Sequence, residues 1–434
     1  MYKSVTKWST TIRDADSIPE TIAKAFKVAM EGNPGAVLVE LPEDIAKCKT
    51  SALPIDKIQL ASGEGTTSAY IKAMLALLAK SKKPIMLVGD AANRTECDKE
   101  LAKFLKHTNL YCATTFMGKG TVSDKYPRSL HTVGMGMKDI AVEAFDAADL
   151  VICVGYDMVE WPPAHWNAVG KKKIIHINIE TAEVDSAYIP TIEMVGDLPT
   201  LLKQINQDLK TAHIKEKPVF AKIQAKINED LGRSKNYDGF PMTPVRILND
   251  IRHVLRDHDM LVSDVGAHKM WVARHYEAYH SKTCFISNGF CSTGGSMPGA
   301  LEAKRLHPKK HVVALCGDGG FLMSIQALVT AARYKIPIVV VVWQDGDYGL
   351  IKWKQEMHYK TFSHVALHNP NLAQLATGLG CYGEQIESTE EFVPTLKNAL
   401  KRTDKPSVII VPVDYSQNMK LFKHLHKIVS KPSA

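Results

Sequence analysis

Two short runs of apolar, mostly β-branched residues stand out in the last third of the chain, at 312–316 and 338–343. Between them, apolar residues recur at steps of three and four, the spacing of an amphipathic helix. These residues are Phe321, Ile325, Leu328, Val329 and Ala332. The alternation predicts a βαβ unit with two buried, parallel strands. Glycine-rich acidic turns, 317–320 and 344–349, follow the two strands, at the edge where parallel sheets bind ligands.

Each turn contains an aspartate, Asp318 in the first and Asp345 in the second. Pairing of the two strands would bring these carboxylates together, and Gly317, Gly319 and Gly320 let the backbone approach a ligand closely. Two carboxylates beside exposed amides suit a hard divalent cation, such as Mg²⁺, that also holds phosphate oxygens. Aspartates in such turns also cap helix amino ends, so the residues alone leave both interpretations open.

The same alternation occurs in two longer stretches and predicts an α/β protein with doubly wound parallel sheets. Residues 64–205 form one predicted domain, with a Rossmann-like pattern, and residues 243–416, which contain the βαβ unit, form another. The first strand of the 64–205 domain is followed by Gly89-Asp90-Ala91-Ala92, which lacks the GxGxxG fingerprint of dinucleotide sites. A nucleotide site there is therefore allowed but not favoured by the residues.

Residues 17–41 read as a helix, a turn and a strand, with Ser17 and Glu20 spaced as a capping box. We recognise no strand pattern ahead of them, and a lone strand cannot bury itself. Residues 1–50 are therefore predicted to be the carboxyl-terminal remnant of a third domain, in a chain truncated at its amino end. Three further segments complete the predicted organisation: a linker at 51–63, a polar connector at 206–242 and a basic, amphipathic tail at 417–434.

Composition argues against a nucleic-acid-binding, membrane-spanning or secreted protein. The 434 residues carry a formal charge of +8, and the lysine runs lack the interleaved aromatics that favour nucleic acid, so no nucleic-acid partner is predicted. No apolar run is long enough to span a membrane, and no secretory signal precedes the fold. The eight cysteines show neither CxxC pairs nor zinc spacing, which favours free thiols and a cytoplasmic location.

Several motifs carry a family resemblance. GDGGF at 317–321 and YGLIKWKQ at 348–355 resemble the cofactor signature of thiamine diphosphate (ThDP) enzymes. The wider chain resembles acetolactate synthases of the catabolic, FAD-independent type, through VTKWS, ELPEDIA, VICVGYD, DVGAHKMW, ISNGF and VPVDYSQN. The resemblance implies a homo-oligomer that condenses two pyruvates to 2-acetolactate with loss of CO₂, using ThDP and Mg²⁺. It also implies that FAD, which biosynthetic relatives hold in the central domain, is not bound.

The resemblance also implies roles for particular residues. Metal ligands would be the side chains of Asp318 and Asp345 and the main-chain carbonyl of Asp347. The remaining cofactor-binding residues would be Gly266, His268, Gly317, Gly319, Gly320, Tyr348, Gly349 and Leu350. From the residues alone, a role of His268 as a helix-capping polar side chain stays open as the alternative.

Two departures from the family pattern concern the reaction. Thr293 matches the position of an apolar wedge that bends the cofactor, so a smaller, hydroxyl-bearing wedge is expected here. Lys354 matches the position of a tryptophan that selects 2-ketobutyrate in biosynthetic enzymes, and its presence favours pyruvate.

The family takes its activating glutamate from the pyrimidine-binding domain of a neighbouring subunit, and no residue of this chain matches it. The catalytic residue therefore stays unassigned, and we expect this polypeptide to be weakly active alone. The alternatives are a catalytically silent ThDP-fold protein, a partner of a complete subunit, or another ThDP-dependent decarboxylase of 2-oxo acids.

Overall fold

The structure is a computed structural model that describes residues 1–55, 68–134, 140–210, 217–232 and 235–418. The part of the linker from residue 56 onward and the tail from residue 419 onward lie outside these ranges, as do two short pieces of the predicted connector. None of the described helices combines the length and apolar character needed to cross a lipid bilayer.

The first unit is a small two-stranded sheet covered by a helix. Its elements are β1 (Trp8–Thr11), α1 (Ile18–Met30), β2 (Val37–Glu40) and α2 (Glu43–Ala46), with short 3₁₀ turns at Tyr2–Ser4 and Ala15–Ser17. β1 pairs in parallel with β2. The expectation that no strand precedes this helix was wrong, because Trp-Ser-Thr-Thr contains one large apolar residue and gives almost no alternating pattern.

The predicted capping box at the start of α1 does not form. Ser17 has helical backbone angles and its side chain makes no capping bond to the helix. Instead, the Asp14 carboxylate accepts a hydrogen bond from the Asp16 amide at 3.2 Å, one turn earlier. The 3₁₀ turn at 15–17 therefore brings the chain into the helix before Ser17 is reached.

The central domain is a six-stranded parallel sheet with helices on both faces. Its strands are β3 (Pro84–Val88), β4 (Tyr111–Thr114), β5 (Ser129–Thr132), β6 (Leu150–Val154), β7 (Lys173–Asn178) and β8 (Ile192–Val195), in the order β5-β4-β3-β6-β7-β8. Its helices, with one in the connector, are α3 (Ser68–Lys80), α4 (Asp90–Arg94), α5 (Asp98–Thr108), α6 (Val142–Ala147), α7 (Ala164–Asn167), α8 (Leu198–Leu209) and α9 (Ala221–Gly232). This order reverses at β3 and β6, as in the doubly wound fold that the apolar runs predict.

The third domain is a second six-stranded parallel sheet. Its strands are β9 (Met260–Ser263), β10 (Cys284–Ile286), β11 (Val312–Gly317), β12 (Val339–Gln344), β13 (Tyr382–Gln385) and β14 (Ser407–Pro412), in the order β10-β9-β11-β12-β14-β13. Its helices are α10 (Pro244–Val254), α11 (Ala267–His275), α12 (Ser296–Leu306), α13 (Asp318–Ser324), α14 (Gln326–Arg333), α15 (Gly349–Tyr359), α16 (Leu372–Gly378) and α17 (Thr389–Lys401). Apolar cores lie on both faces of this sheet, which explains why its central strands are apolar throughout. The α/β fold class with parallel sheets is thus confirmed.

The register of the two central strands of this sheet determines where the candidate residues meet. Gly317, the last residue of β11, lies opposite Trp343 of β12. The two strands therefore end side by side, and the turns that follow them share one edge of the sheet. The loop after β9 and the loop after β10 reach the same edge.

Candidate functional site

Asp318 links the turns after β11 and β12. It is the first residue of α13 and is buried. Its Oδ1 accepts a hydrogen bond from the Gly319 amide at 2.8 Å. Its Oδ2 accepts from the Gly346 amide at 2.8 Å and from Asn369 Nδ2 at 2.7 Å. The carboxylate is therefore fixed in place, and a lone pair on Oδ1 stays open for a further partner.

Asp345 adds a second carboxylate at the same edge. Burial, together with the neighbouring charges of Asp318 and Asp347, raises the pKa of Asp345 to about 7. Lys352 neutralises Asp347 through an ion pair of 2.7 Å between Nζ and Oδ2. Asp345 is therefore repelled by Asp318 and, to a smaller extent, by Asp347, and a cation between Asp318 and Asp345 would relieve this repulsion.

The donor set at this edge suits a divalent cation that completes its coordination with other oxygens. Within the described ranges, no group of three or more histidine, cysteine or acidic side chains is arranged to hold a metal by itself. Two carboxylates and a main-chain carbonyl are a partial set of the kind that Mg²⁺ accepts when phosphate oxygens supply the rest. The crowded carboxylates thus fit the predicted metal better than a purely structural role as caps.

Two glycines of the first turn have no room for a side chain. A Cβ on Gly319 would lie 2.9 Å from Cε1 of Tyr348, and one on Gly320 would lie 2.6 Å from Oδ2 of Asp264. Asp264, directly after β9, accepts two hydrogen bonds from the Gly294 amide, at 2.9 and 3.0 Å. Sequence reasoning missed this buried aspartate, which ties the loop after β10 to the strand edge.

Thr293 lies over the first turn. It is exposed, and its Cγ2 is 3.5 Å from the point that a Cβ on Gly320 would occupy. The amide of its neighbour Gly294 donates to Asp264. The position of Thr293, the predicted wedge, is therefore set by this backbone hydrogen bond of the next residue and not by the Thr293 side chain. The structure thus brings Thr293 to the same edge as Asp318.

His268 lies at this edge in its neutral form. It is only 3% exposed, beside the glycines Gly266 and Gly317, and its ring meets the Trp343 ring edge-on at 6.2 Å. Burial lowers the pKa of His268 to about 4. Its Nε2 is buried and has no hydrogen-bond partner among the described residues. A buried ring nitrogen without a partner is costly, and it marks a place where a ligand could supply the missing bond.

Some residues at the start of α15 lie against the turns after β11 and β12, whereas others lie away from them. Tyr348 is partly exposed and covers Gly319, and a Cβ on Gly349 would lie 2.9 Å from Oδ2 of Asp345. Leu350 packs with Trp353 in a small apolar cluster. Trp353 meets Tyr415 edge-on at 5.8 Å and serves packing, whereas Lys354 is exposed. Lys354 is therefore not drawn into the contacts that join the two turns.

Asn369 and Lys352 belong to the site and were missed by sequence reasoning. Asn369 lies 51 positions from the aspartate that it contacts, in a loop without a recognisable motif. Lys352 stands inside the YGLIKWKQ motif, but only the ion pair with Asp347 reveals its role. Nothing in the local pattern predicts either contact.

The carboxyl edge of the central sheet is also lined by polar groups. A cleft of about 50 Å³ lies there, bordered by Asp157, Glu180 and Arg94. The Asn33 turn of the first unit reaches into its border: the Asn33 amide donates to Glu180 Oε1 at 2.6 Å, and Nδ2 donates to Asp157 Oδ2 at 3.1 Å. Arg94 donates to Asn33 Oδ1 at 3.0 Å. The edge where a doubly wound domain binds nucleotides is thus partly covered by the chain itself.

A buried acid, Glu160, lies close to this edge, after β6. It is 5% exposed and accepts hydrogen bonds from the Asp90 amide at 2.9 Å and from the Thr115 hydroxyl. Burial raises the pKa of Glu160 to about 8. The side chain is therefore a neutral carboxylic acid at pH 7, which the sequence did not indicate.

Comparisons with known proteins agree with this geometry. Residues 264–411 match the family model described as thiamine pyrophosphate enzyme, C-terminal TPP binding domain, and residues 71–205 match the model of the central domain. The chain is 30% identical to the acetolactate synthase of Bacillus subtilis over 424 residues, which is 97% of this chain and 74% of that protein.

Two further relatives are similar over comparable lengths. The catabolic acetolactate synthase of Raoultella terrigena is 29% identical over 98% of this chain and 77% of its own length. The probable acetolactate synthase large subunit of Methanocaldococcus jannaschii is 28% identical over 95% of this chain and 72% of its own length. The chain thus belongs to the thiamine pyrophosphate enzyme family, and these relatives carry the name acetolactate synthase.

Proposed function

We propose that this chain is an acetolactate synthase polypeptide that condenses two pyruvates to 2-acetolactate with release of CO₂. The observation that carries the proposal is the convergence of Asp318 and Asp345 at one sheet edge, where two carboxylates repel each other. Relatives that carry the name acetolactate synthase support the choice of reaction within the family.

In this proposal Asp318, Asp345 and the main-chain carbonyl of Asp347 would hold Mg²⁺, and this edge of the sheet would thereby bind the diphosphate of ThDP. The amino end of α11 and the glycines of the first turn offer backbone amides to the same diphosphate. Bound ThDP supplies the carbanion chemistry on which decarboxylation of a 2-oxo acid depends. The chain itself supplies position and charge.

Three residues of the chain shape the reacting region. Asp264 holds the Gly294 amide, and so keeps Thr293 above the first turn. His268 is neutral and directs a buried nitrogen without a described partner toward this edge, so it can exchange a hydrogen bond with a ligand without adding charge. The Asp264 bond thus orders the loop that the cofactor would rest on.

Substrate choice and assembly extend the proposal. Lys354 stands at the position where biosynthetic relatives have a tryptophan that selects 2-ketobutyrate, and this departure supports pyruvate as the substrate. We further propose a cytoplasmic homo-oligomer in which a neighbouring subunit provides the activating glutamate. FAD has no part in the proposed reaction.

Cofactor titration tests the anchor directly. ThDP is titrated into the full chain with and without Mg²⁺, and binding is followed by calorimetry. We expect Mg²⁺-dependent binding that Asp318→Asn weakens at least ~100-fold, since that variant removes one of two metal-ligand charges. Glu302→Gln, which removes a surface carboxylate paired with Arg305 in the same domain, is the matched control. Unchanged ThDP affinity in Asp318→Asn would show that the site is wrongly assigned.

A product assay then separates the alternatives. The chain is incubated with pyruvate, ThDP and Mg²⁺, and acetolactate is measured as acetoin after acid decarboxylation. Slow turnover that rises when a complete synthase subunit is added supports the proposed function. Tight ThDP binding without any turnover, alone or with that subunit, favours the catalytically silent protein.

A further inference from the structure

Lys269 is a nearly buried cation beside the loop that carries Thr293. It lies in the first turn of α11 and is 7% exposed. Its Nζ donates to Asn288 Oδ1 at 2.9 Å and to Cys291 Sγ at 3.1 Å. It also lies 5.0 Å from the centre of the Phe116 ring, which belongs to the central domain. None of these three partners is an acidic side chain.

The positive charge of Lys269 has no counter-ion of its own. Among the residues that the structure describes, no carboxylate forms an ion pair with Nζ. The ammonium also stands near the amino end of α11, where the aligned peptide dipoles disfavour a cation. Since a buried ammonium ion is costly without an opposite charge, this place favours the binding of an anion.

A cavity of about 440 Å³ adjoins Lys269, between the central domain and the third domain. Its lining includes Met117, Ser287 and Ser292, and each of these is the chain neighbour of a residue that Nζ contacts. Nζ therefore lies close behind this part of the lining, and the flexible stem of the lysine lets it turn toward a ligand. Met117 and Ile286 add apolar surface to the cavity, which suits a small molecule with one apolar end.

The other charged groups that line this cavity already have partners. Arg94 Nε pairs with Asp90 Oδ2 at 2.5 Å, and Lys282 Nζ pairs with Glu96 Oε1 at 2.5 Å. Asp264 accepts hydrogen bonds from main-chain amides, which offset its negative charge. Within the described ranges, the ammonium of α11 is therefore the cation at this cavity that remains available to an anionic ligand.

We propose that Lys269 binds the carboxylate of the second 2-oxo acid, the acceptor in the condensation. This inference rests on the proposed function and adds a substrate-binding residue to it. In that reaction the first 2-oxo acid loses its carboxylate as CO₂, whereas the second retains the group in the product. A cation bound to the first carboxylate would oppose decarboxylation, because the negative charge leaves that group as the bond breaks. A cation bound to the second carboxylate carries no such cost.

The environment of Lys269 suits this role better than that of Lys354, the lysine that the family resemblance places near the substrate. Lys354 is exposed, so water and salt screen its charge. Lys269 is nearly buried, where the attraction between opposite charges is stronger. The two lysines are therefore compared directly in the experiment.

The first experiment measures binding of oxamate, an unreactive analogue of pyruvate, to the full chain by calorimetry, with and without ThDP and Mg²⁺. Oxamide, in which an amide replaces the carboxylate, shows how much of the affinity depends on charge. We expect Lys269→Met to weaken oxamate binding at least ~10-fold and to leave oxamide binding unchanged. Lys282→Met, which removes a paired cation of the same cavity, is the matched control and should change oxamate affinity less than ~2-fold.

Three results of this experiment would overturn the inference. The first is equal oxamate affinity in the native chain and in folded Lys269→Met. The second is the absence of oxamate binding by the native chain under both conditions. The third is a loss of oxamate binding in Lys354→Met and not in Lys269→Met, which would assign the carboxylate to the exposed lysine.

A proximity measurement in the native chain decides if Lys269→Met does not fold. Cys291 Sγ lies 3.1 Å from Nζ and is partly exposed, whereas Cys48 is exposed and lies outside this cavity. Alkylation of both thiols by iodoacetamide is followed by mass spectrometry. Saturating oxamate should slow alkylation of Cys291 and not of Cys48, and oxamide should slow neither. Equal alkylation of Cys291 with and without oxamate would contradict the placement of the carboxylate.

A product measurement separates this inference from the proposed function. The chain is incubated with pyruvate, ThDP and Mg²⁺, and CO₂, acetaldehyde and acetolactate are measured together. Lys269→Met should form at least ~5-fold less acetolactate per CO₂ and more acetaldehyde, because loss of CO₂ does not need the acceptor. An unchanged ratio would refute the role of Lys269 and leave the proposed function intact. No turnover by the native chain, despite charge-dependent oxamate binding, would count against the proposed function and retain Lys269 as a carboxylate-binding residue.

Discussion

Glu160 offers a sharp test of the central domain, because burial is the largest cause of its raised pKa. The substitution Glu160→Gln keeps the size of the side chain and removes the ability to ionise. In the native chain the carboxyl accepts the Asp90 amide and lies against the Thr115 hydroxyl, and the glutamine oxygen and amide can take over both contacts. The comparison therefore isolates the ionisation of one buried group.

The magnitude follows from the two pKa values. The pKa of Glu160 is raised from 4.5 to about 8 by burial, so between these values the folded chain holds a proton that the unfolded chain releases. The stability contributed by the neutral carboxyl is fully present below pH 4.5 and is lost as the pH rises to 8. At about 1.36 kcal/mol per pH unit, the total loss approaches ~5 kcal/mol.

The assay is urea unfolding of the native chain and of Glu160→Gln at half-unit steps from pH 5 to pH 8.5, followed by tryptophan fluorescence. Trp161 and Trp166, whose rings lie 6.1 Å apart close by, report on this domain. The free energy of unfolding of the variant, minus that of the native chain, should rise by about 1 kcal/mol per pH unit and level off above pH 8. Glu302→Gln, at an exposed position, should show no such trend. A constant difference for Glu160→Gln across this range would refute the reasoning.

Three further outcomes are expected. Gly320→Ala places a Cβ 2.6 Å from Oδ2 of Asp264. We therefore expect the free energy of unfolding, measured in urea, to fall by about 2 kcal/mol, and ThDP binding, measured by calorimetry, to weaken. Unchanged values for both would contradict the close contact. Lys119→Met removes the fully buried ammonium group that pairs with Asp124 at 3.1 Å. The free energy of unfolding in urea should fall by about 3 kcal/mol, because the Asp124 charge loses its partner. An unchanged free energy of unfolding would mean that this ion pair does not stabilise the fold. Asn369→Ala removes the side-chain amide that donates to Asp318 Oδ2 at 2.7 Å. The free energy of unfolding in urea should fall by about 1–2 kcal/mol. A change below ~0.3 kcal/mol would argue against that hydrogen bond.

Much of the third domain could be predicted from sequence because its signals are local. The apolar run that predicts a strand at 312–316 appears as β11, Val312–Gly317, and the run at 338–343 appears as β12, Val339–Gln344. Since both strands are buried on two faces, their residues are apolar without interruption. Short strands with weaker patterns, such as β5 (Ser129–Thr132) and β13 (Tyr382–Gln385), were not predicted. Their partly polar residues are stabilised by neighbours that are distant in sequence.

The candidate site divides in the same way. Asp318 and Asp345 were found because each directly follows a strand, so their meeting depends only on parallel pairing. The role of Asp264 and the contact of Asn369 with Asp318 come from loops that meet in space without a shared pattern. Contacts between two loops depend on the folded structure and leave no pattern in the sequence from which they could be predicted.

The turn at Gly32 and Asn33 has a mechanical consequence. A Cβ on Gly32 would lie 1.8 Å from Glu180 Oε1, so this turn lies directly against the Glu180 side chain. Asn33 donates hydrogen bonds to Glu180 and Asp157, which follow β7 and β6, and accepts one from Arg94. The first unit is therefore tied to the ends of β6 and β7, and a molecule too large for the cleft would have to displace these contacts.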